Sequence, residues 1–155
     1  MMELDTWIVV LLALILGLLV GSFLNVVIYR VPEGLNRNWK LQAKQMLDLP
    51  LEQGEGERFN ILMPPSHCPS CKVAIKPWQN IPILSYVLLK GRCKHCHTAI
   101  SLRYPLVELL TGLVFAVCAW KFGVTWTALA AMVFSAYLIA MIFIDADTQL
   151  LPDQL

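Results

Sequence analysis

Charged residues are scarce in this sequence. Asp, Glu, Lys and Arg make up 15% of its 155 residues, whereas an ordinary globular domain has about 25%. Hydrophobic residues make up 57%, the mean hydropathy is +0.62, and the apolar residues stand in long uninterrupted runs. This composition argues against a water-soluble domain with an enlarged core. The formal net charge of +1 gives no argument for binding nucleic acid, so we expect no nucleic-acid partner.

Several familiar catalytic signatures are missing as well. The sequence has no Ser/His/Asp signature, no Gly-rich phosphate-binding loop and no His-Glu-x-x-His motif. A secretory signal peptide, the alternative interpretation of the apolar N-terminus, needs a basic segment before its apolar run. Residues 1–6 carry Glu3 and Asp5 instead, and the run that follows is too long for a signal peptide.

Three apolar runs are the main feature that is present. The first, residues 7–29, and the third, residues 126–144, carry no charge. The second, residues 106–120, is the weakest, and because Glu108 stands near its start we expect it to begin at the membrane interface. A helix needs about 20 apolar residues to cross a hydrocarbon core of roughly 30 Å. The sequence therefore predicts an all-α integral membrane protein with three transmembrane helices.

The first run contains a few small or polar residues. Gly17 and Gly21 are four residues apart, with Ser22 beside them, a spacing that lets helices approach closely in lipid. Ordinary helix packing explains these glycines better than a direct role. Asn25 is an amide at membrane depth, which we expect to face protein or water rather than lipid. We expect Arg30 and Pro32 to end the span.

A polar segment, residues 31–105, separates the first two runs. All Lys and Arg residues except Lys121 lie between Arg30 and Arg103. Because basic loops are retained in the cytoplasm, this segment should be cytoplasmic, with the N-terminus periplasmic. Residues 36–49 are compatible with a short amphipathic helix, on the membrane surface or in water. The predicted parts are therefore a first transmembrane helix (1–30), a cytoplasmic loop domain (31–105) and a second and third helix (106–155).

Two Cys-x-x-Cys pairs lie in this loop domain. Cys68 and Cys71 form the first pair, and Cys93 and Cys96 form the second. Four thiolates on two tight turns can close a tetrahedral site, which favours structural zinc and supplies folding energy to a small domain. An iron–sulfur cluster or redox dithiols are the alternatives. The three histidines close to the pairs could replace a sulfur, but four cysteines suffice; they are His67, His95 and His97.

An aspartate follows the third run directly. A carboxylate at that position is a functional hypothesis by default, although Asp145 could simply mark where water begins. Asp147 is roughly 200° further around a helix, so the two cannot readily share one site. Asp153 follows Pro152, and Glu108 is a further candidate, although a glutamate at an interfacial helix start is common. Aspartic chemistry needs two neighbouring carboxylates, and here only Asp145 is a strong candidate.

Four stretches together resemble the bacterial type IV prepilin peptidases. They are GLLVGSFLNVVIYRVP (17–32), the two Cys-x-x-Cys pairs, RYPLVELLTG (103–112) and IDADTQLLPD (144–153). Each motif is weak alone, but their succession over nearly the whole chain is specific to that family.

The resemblance implies a cytoplasmic-membrane aspartic endopeptidase of type IV pilus and type II secretion systems. Such enzymes remove the basic leader of prepilins and pseudopilins and N-methylate the new N-terminus with S-adenosylmethionine. By this resemblance Asp145 is one of two catalytic carboxylates, and the four cysteines of the pairs belong to the bifunctional branch of the family.

One departure from the family pattern concerns the second catalytic aspartate. In the family it lies in a Gly-x-Gly-Asp motif in a later span, and this sequence has no such motif. We therefore expect a chain that lacks the C-terminal transmembrane portion and does not cleave prepilins alone. A non-catalytic membrane adaptor, presenting a zinc ribbon to a partner protein, is the rival hypothesis.

Overall fold

The computed structural model describes residues 2–50, 59–61, 63, 65–68, 70–75 and 80–149. These residues form four helices and, within those ranges, no strand. The helices are α1 (Met2–Met46), α2 (Leu84–Leu88), α3 (Arg103–Phe122) and α4 (Trp126–Thr148). Three of them, α1, α3 and α4, are long and apolar enough to cross a membrane. The prediction of a helical protein with three membrane-spanning helices is confirmed.

The first helix is longer than the sequence suggested. It runs without interruption for 45 residues and contains Pro32 in its interior. The helix therefore continues past Arg30 and Pro32, where we expect the membrane span to end, and residues 36–46 are part of α1 and not a separate short helix. Proline has a backbone φ compatible with a helix; in the interior it removes the hydrogen bond to the carbonyl four residues earlier and its ring crowds that carbonyl, which can kink a helix without ending it.

Glycines bring α1 and α3 into backbone contact. A Cβ atom at Gly17 would lie 2.7 Å from Cα of Gly112, and one at Gly21 would lie 2.7 Å from Cα of Glu108. Since residue numbers rise along one helix as they fall along the other, the two helices are antiparallel. Close packing through small residues, as their spacing predicts, is the role of both glycines.

The fourth helix completes the bundle against α1 and α3. Three side chains that are at most 1% exposed lie at its core: Ile28, Val107 and Ile144. A second cluster lies further along the bundle around Phe115 and Met132. An ion pair between Arg103 and Asp147 joins the start of α3 to the end of α4, so these helices are also antiparallel.

The outward faces of the helices are apolar. Leucines of α1 such as Leu12 and Leu19 are more than half exposed, as expected for a surface that lipid covers. Three exposed tryptophans, Trp7, Trp120 and Trp126, lie near the start of α1, the end of α3 and the start of α4. The antiparallel packing brings these termini to one end of the bundle, where a belt of aromatic residues is typical of a membrane interface.

Candidate metal centre and catalytic carboxylate

Four cysteines from two distant turns meet at one point above the helices. The sulfur atoms of Cys68, Cys71, Cys93 and Cys96 all lie within 4.8 Å of one another, and Sγ of Cys68 is 3.7 Å from Sγ of Cys96. A tetrahedral ion with metal–sulfur bonds of about 2.3 Å needs sulfur atoms roughly 3.8 Å apart. The cluster therefore has the size and ligand type to bind a metal ion such as zinc.

The two cysteine turns are copies of one backbone pattern, displaced by 25 residues along the chain. The amide of Cys68 donates to the carbonyl of Val73 at 3.0 Å, and the amide of Cys93 donates to Thr98 at 2.9 Å. Two further backbone hydrogen bonds match: the amide of Lys72 donates to Cys68 as that of His97 donates to Cys93, and the amide of Ile75 donates to Ser66 as that of Ile100 donates to Gly91. The antiparallel bridge His67–Ala74 corresponds to the bridge Arg92–Ala99. Each turn is closed by one isolated bridge, and the described residues between the two turns form the short helix α2 rather than strands.

Each turn needs one residue with a left-handed backbone, directly after its second cysteine. These residues are Lys72, with a φ of 59°, and His97, with a φ of 57°. This conformation turns the chain back, so that the carbonyl of the next residue, Val73 or Thr98, accepts a hydrogen bond from the amide of the first cysteine. Hydrogen bonds from the backbone of Cys71 and Ser70 lower the pKa of Cys68.

The electrostatics of the cluster favour a bound cation. Hydrogen bonds from the Thr98 side chain and backbone lower the pKa of Cys96 to about 6. A hydrogen bond from the Val73 backbone acts in the same direction on Cys71, but burial and the three neighbouring sulfurs outweigh it and raise its pKa to about 11. Four thiolates repel one another, and a divalent cation removes that repulsion. Sequence reasoning missed Thr98, although a hydroxyl two residues after a ligand cysteine is a usable signal.

The histidines stay outside the cluster. Among the described residues, the group that could hold a metal contains the four cysteines alone. His67 instead places Nδ1 3.1 Å from the carbonyl oxygen of Pro65, and His95 and His97 are exposed. The thiols of the cluster and that of Cys118, which is buried in α3, form no disulfide.

The Asp145 carboxylate lies near the C-terminal end of α4. It is exposed, in the last turn of α4 directly after the fully buried Ile144. Its backbone carbonyl accepts a hydrogen bond from the amide of Gln149, which closes the helix. No described residue forms an ion pair or a hydrogen bond with its side chain, and no second carboxylate is paired with it in that part of the chain.

Asp147 has a different environment from Asp145. Its carboxylate forms the ion pair with Arg103, which agrees with the prediction that the two aspartates face different ways. Asp153 lies outside the described residues. Of the acidic residues after the third span, Asp145 is thus the described one whose carboxylate is not already engaged.

The side chains of Glu108 on α3 and Asn25 on α1 are buried within the protein rather than exposed to lipid. Glu108 is 7% exposed, and its Oε2 accepts a hydrogen bond of 2.7 Å from the amide of Ile83. Asn25 is 4% exposed and donates through Nδ2 to the carbonyl of Tyr104 at 3.0 Å. The expectation that Asn25 faces protein is confirmed. Glu108 is more than a helix-start residue, because it ties α3 to the segment that follows the first cysteine pair.

A family comparison matches most of the chain. The family described as "Bacterial Peptidase A24 N-terminal domain" matches residues 15–122. This range includes α1 beyond its first turns, both cysteine turns and the whole of α3.

Curated relatives match over nearly the whole chain. A "Prepilin leader peptidase/N-methyltransferase" of Neisseria gonorrhoeae is 56% identical over 144 residues, 93% of this chain and 50% of that protein. Proteins of the same name from Stutzerimonas stutzeri and from Pseudomonas aeruginosa are each 51% identical over 146 residues, 94% of this chain and 50% of theirs. The chain thus spans about half the length of the curated relatives it matches. No solved structure matches it.

Proposed function

The chain belongs to the family of bacterial peptidase A24 N-terminal domains, and we propose that it forms the N-terminal part of a membrane aspartic endopeptidase. The substrates are type IV prepilins and pseudopilins, from which the enzyme removes the leader peptide. The names of the relatives support this proposal. The observation that carries it is the exposed carboxylate of Asp145, without a partner among the described residues, at the end of a helix otherwise suited to lipid.

Asp145 acts in peptide hydrolysis as one of two carboxylates. One carboxylate takes a proton from water, whose oxygen then forms a bond to the scissile carbonyl carbon. The carbon–nitrogen bond breaks, and the leaving amine receives a proton from the other carboxylic acid. Two carboxylates are needed because one group must be ionised while the other carries a proton.

The second carboxylate comes from a C-terminal transmembrane portion that is not contained in these 155 residues. The support is the missing Gly-x-Gly-Asp motif and the length of the relatives, about twice the matched part. We therefore propose that residues 1–155 alone do not cleave prepilins.

The cysteine cluster holds a structural zinc ion and organises the loop domain (31–105). Its four sulfurs leave no ligand position for water, so the metal orders the loop and takes no part in hydrolysis. The concentration of basic residues in this domain supports a cytoplasmic position, with the N-terminus periplasmic in the bacterial inner membrane. The remaining parts, residues 1–30 and 106–155, cross the bilayer and bring Asp145 to its cytoplasmic rim.

The same protein N-methylates the N-terminus that cleavage exposes. The relatives' shared name includes this activity. S-adenosylmethionine, when bound, supplies the methyl group. The new N-terminus is mainly an ammonium ion near neutral pH, and it must give up a proton before its free electron pair can take the methyl group.

Leader cleavage by the complete protein tests the role of Asp145. We expect Asp145→Asn to lower the rate of prepilin cleavage at least about a hundredfold, because an amide cannot exchange the proton. The assay is the shift of prepilin to its mature size in membranes that contain equal amounts of each variant.

Asp147→Asn is the matched control. It removes an exposed ion pair with Arg103 two residues away and should leave cleavage within a few-fold of the parent. Unchanged processing in Asp145→Asn would instead favour the membrane adaptor.

A further inference from the structure

A cavity of about 470 Å³ lies between the two cysteine turns, the middle of α1 and the start of α3. Such a volume is typical of sites for ligands of cofactor size, roughly 300–1,000 Å³. Residues of the membrane helices, among them Asn25 and Glu108, form one wall, and residues of the cysteine turns, among them Lys72 and Lys94, form the other. No part of the proposed hydrolytic chemistry uses this space.

Asn25 presents an unused hydrogen-bond acceptor in this wall. The residue is 4% exposed and lines the cavity, and its Oδ1 has no hydrogen-bond partner. The assignment of the amide is fixed, because the atom that faces the Tyr104 carbonyl must be the donor Nδ2. A buried acceptor without a partner is rare in proteins, because it has given up hydrogen bonds to water without replacing them. The most direct compensation is a ligand that donates a hydrogen bond to it.

Glu108 adds an acidic group to the same wall. It lines the cavity and is 7% exposed, and no described residue forms an ion pair with it. The one backbone donor on Oε2, from Ile83, leaves it with further acceptor positions. Three tyrosines also line the space: Tyr29, Tyr86 and Tyr104. Carboxylate, amide oxygen and aromatic rings together favour a positively charged organic group.

We propose that this cavity binds an organic cation that carries an ammonium group, with Asn25 Oδ1 and the Glu108 carboxylate as its recognition groups. The inference rests on the proposed function, which involves two such cations: the methyl donor and the free N-terminus of the cleaved pilin. The basic wall, with Lys72 and Lys94, can accept a carboxylate at the other end of the ligand. The methyl donor carries one beside its ammonium group, and for this reason it fits both walls.

Direct titration of ligand into the zinc-loaded chain in detergent tests the proposal without any enzymatic turnover. The two probes are S-adenosylmethionine and a short peptide amide with a free N-terminal phenylalanine; the N-acetylated peptide is the uncharged comparison. At least one cationic probe should bind, and the acetylated peptide should not. Binding of the first probe alone identifies the methyl donor as the ligand, and binding of the peptide alone identifies the new N-terminus.

Two substitutions link that binding to this cavity. Asn25→Leu removes the unused acceptor, and Glu108→Gln removes the charge but keeps the shape and an acceptor for Ile83. Each should weaken binding at least about tenfold, the size expected for a hydrogen bond to a charged group. Asn38→Leu, at an exposed asparagine of the same helix, is the matched control and should bind like the parent. Retention of zinc shows that a variant is folded. If Asn25→Leu does not fold, ligand binding by Glu108→Gln alone tests the proposal.

The proposal is overturned if neither cation binds, or if both bind folded Glu108→Gln as tightly as the parent. Its failure differs from that of the proposed function. Loss of cation binding with leader cleavage intact in the complete protein would refute this site alone. Cation binding together with cleavage that does not depend on Asp145 would refute the endopeptidase and leave the site standing.

Discussion

At the scale of single residues, the contact between α1 and α3 depends on side chains that are absent. Gly17 and Gly21 face Gly112 and Glu108 at distances that leave no room for a methyl group. This close approach brings Asn25 and Glu108 to one wall of the cavity. Sequence spacing predicted the role of the glycines, since a four-residue interval of small residues is a local signal. It could not predict that Asn25 and Glu108 share a wall, because that depends on the register of two helices distant in sequence.

Gly21→Ala tests this contact. The new Cβ would lie 2.7 Å from the Cα of Glu108, a backbone atom that can move only with its helix. We expect the free energy of unfolding to fall by about 1–3 kcal/mol, the usual range for overpacking. Unfolding of the purified chain in mixed micelles with rising SDS content, followed by circular dichroism, measures it.

Gly34→Ala is the control for helix propensity in the same helix. Its Cβ would meet only the Phe59 ring at 3.7 Å, an ordinary contact, so the unfolding free energy should stay the same or rise by up to about 1 kcal/mol. Equal behaviour of the two variants would mean that α1 and α3 do not touch at Gly21.

At the scale of elements, the two cysteine turns form a small unit with local hydrogen bonds and four sulfur atoms close enough to bind one metal ion. The motif spacing was sufficient to predict that the four cysteines come together, since each pair occupies one tight turn. The sequence did not reveal the short helix α2 between the turns or the continuation of α1 past Pro32. Proline is a poor guide at that point, because an interior proline can bend a helix without ending it.

Cys71→Ser tests the unit. With one ligand lost, we expect the purified protein to retain much less than one zinc ion per chain, and the amides of residues 65–75 and 91–100 to exchange hydrogen faster. The helical circular dichroism should change little, because the three long helices pack independently of the metal. Zinc analysis and hydrogen exchange with mass spectrometry provide the measurements.

Cys118→Ser is the matched control, since this cysteine is buried in α3 among apolar side chains and belongs to no metal group. It should retain a full zinc ion per chain. Equal zinc content in the Cys71 and Cys118 variants would rule out the four-sulfur site.

At the scale of the whole molecule, α3 runs antiparallel to both α1 and α4, and the residues of the candidate sites lie at one end of this bundle. The ion pair between Arg103 and Asp147 and the contact between Asn25 and Tyr104 mark that end, and the exposed tryptophans Trp7, Trp120 and Trp126 mark the other. Hydropathy alone predicted the spans, because a membrane imposes a length on every crossing. Loop charge predicts that the end with Asp145 and the cysteine turns faces the cytoplasm.

The central claim is that a catalytic carboxylate lies at the cytoplasmic rim of the membrane. Labelling of single introduced cysteines in cells tests this claim most directly. The two variants are Asp145→Cys and Val124→Cys, which lies in the exposed turn between α3 and α4. A membrane-impermeant maleimide, located by the mass of the labelled peptide, should reach residue 124 in cells whose outer membrane alone is opened. It should reach residue 145 only after the inner membrane is opened as well. Labelling of residue 145 from the periplasmic side would contradict the account, because a cytoplasmic leader peptide could not then reach that position.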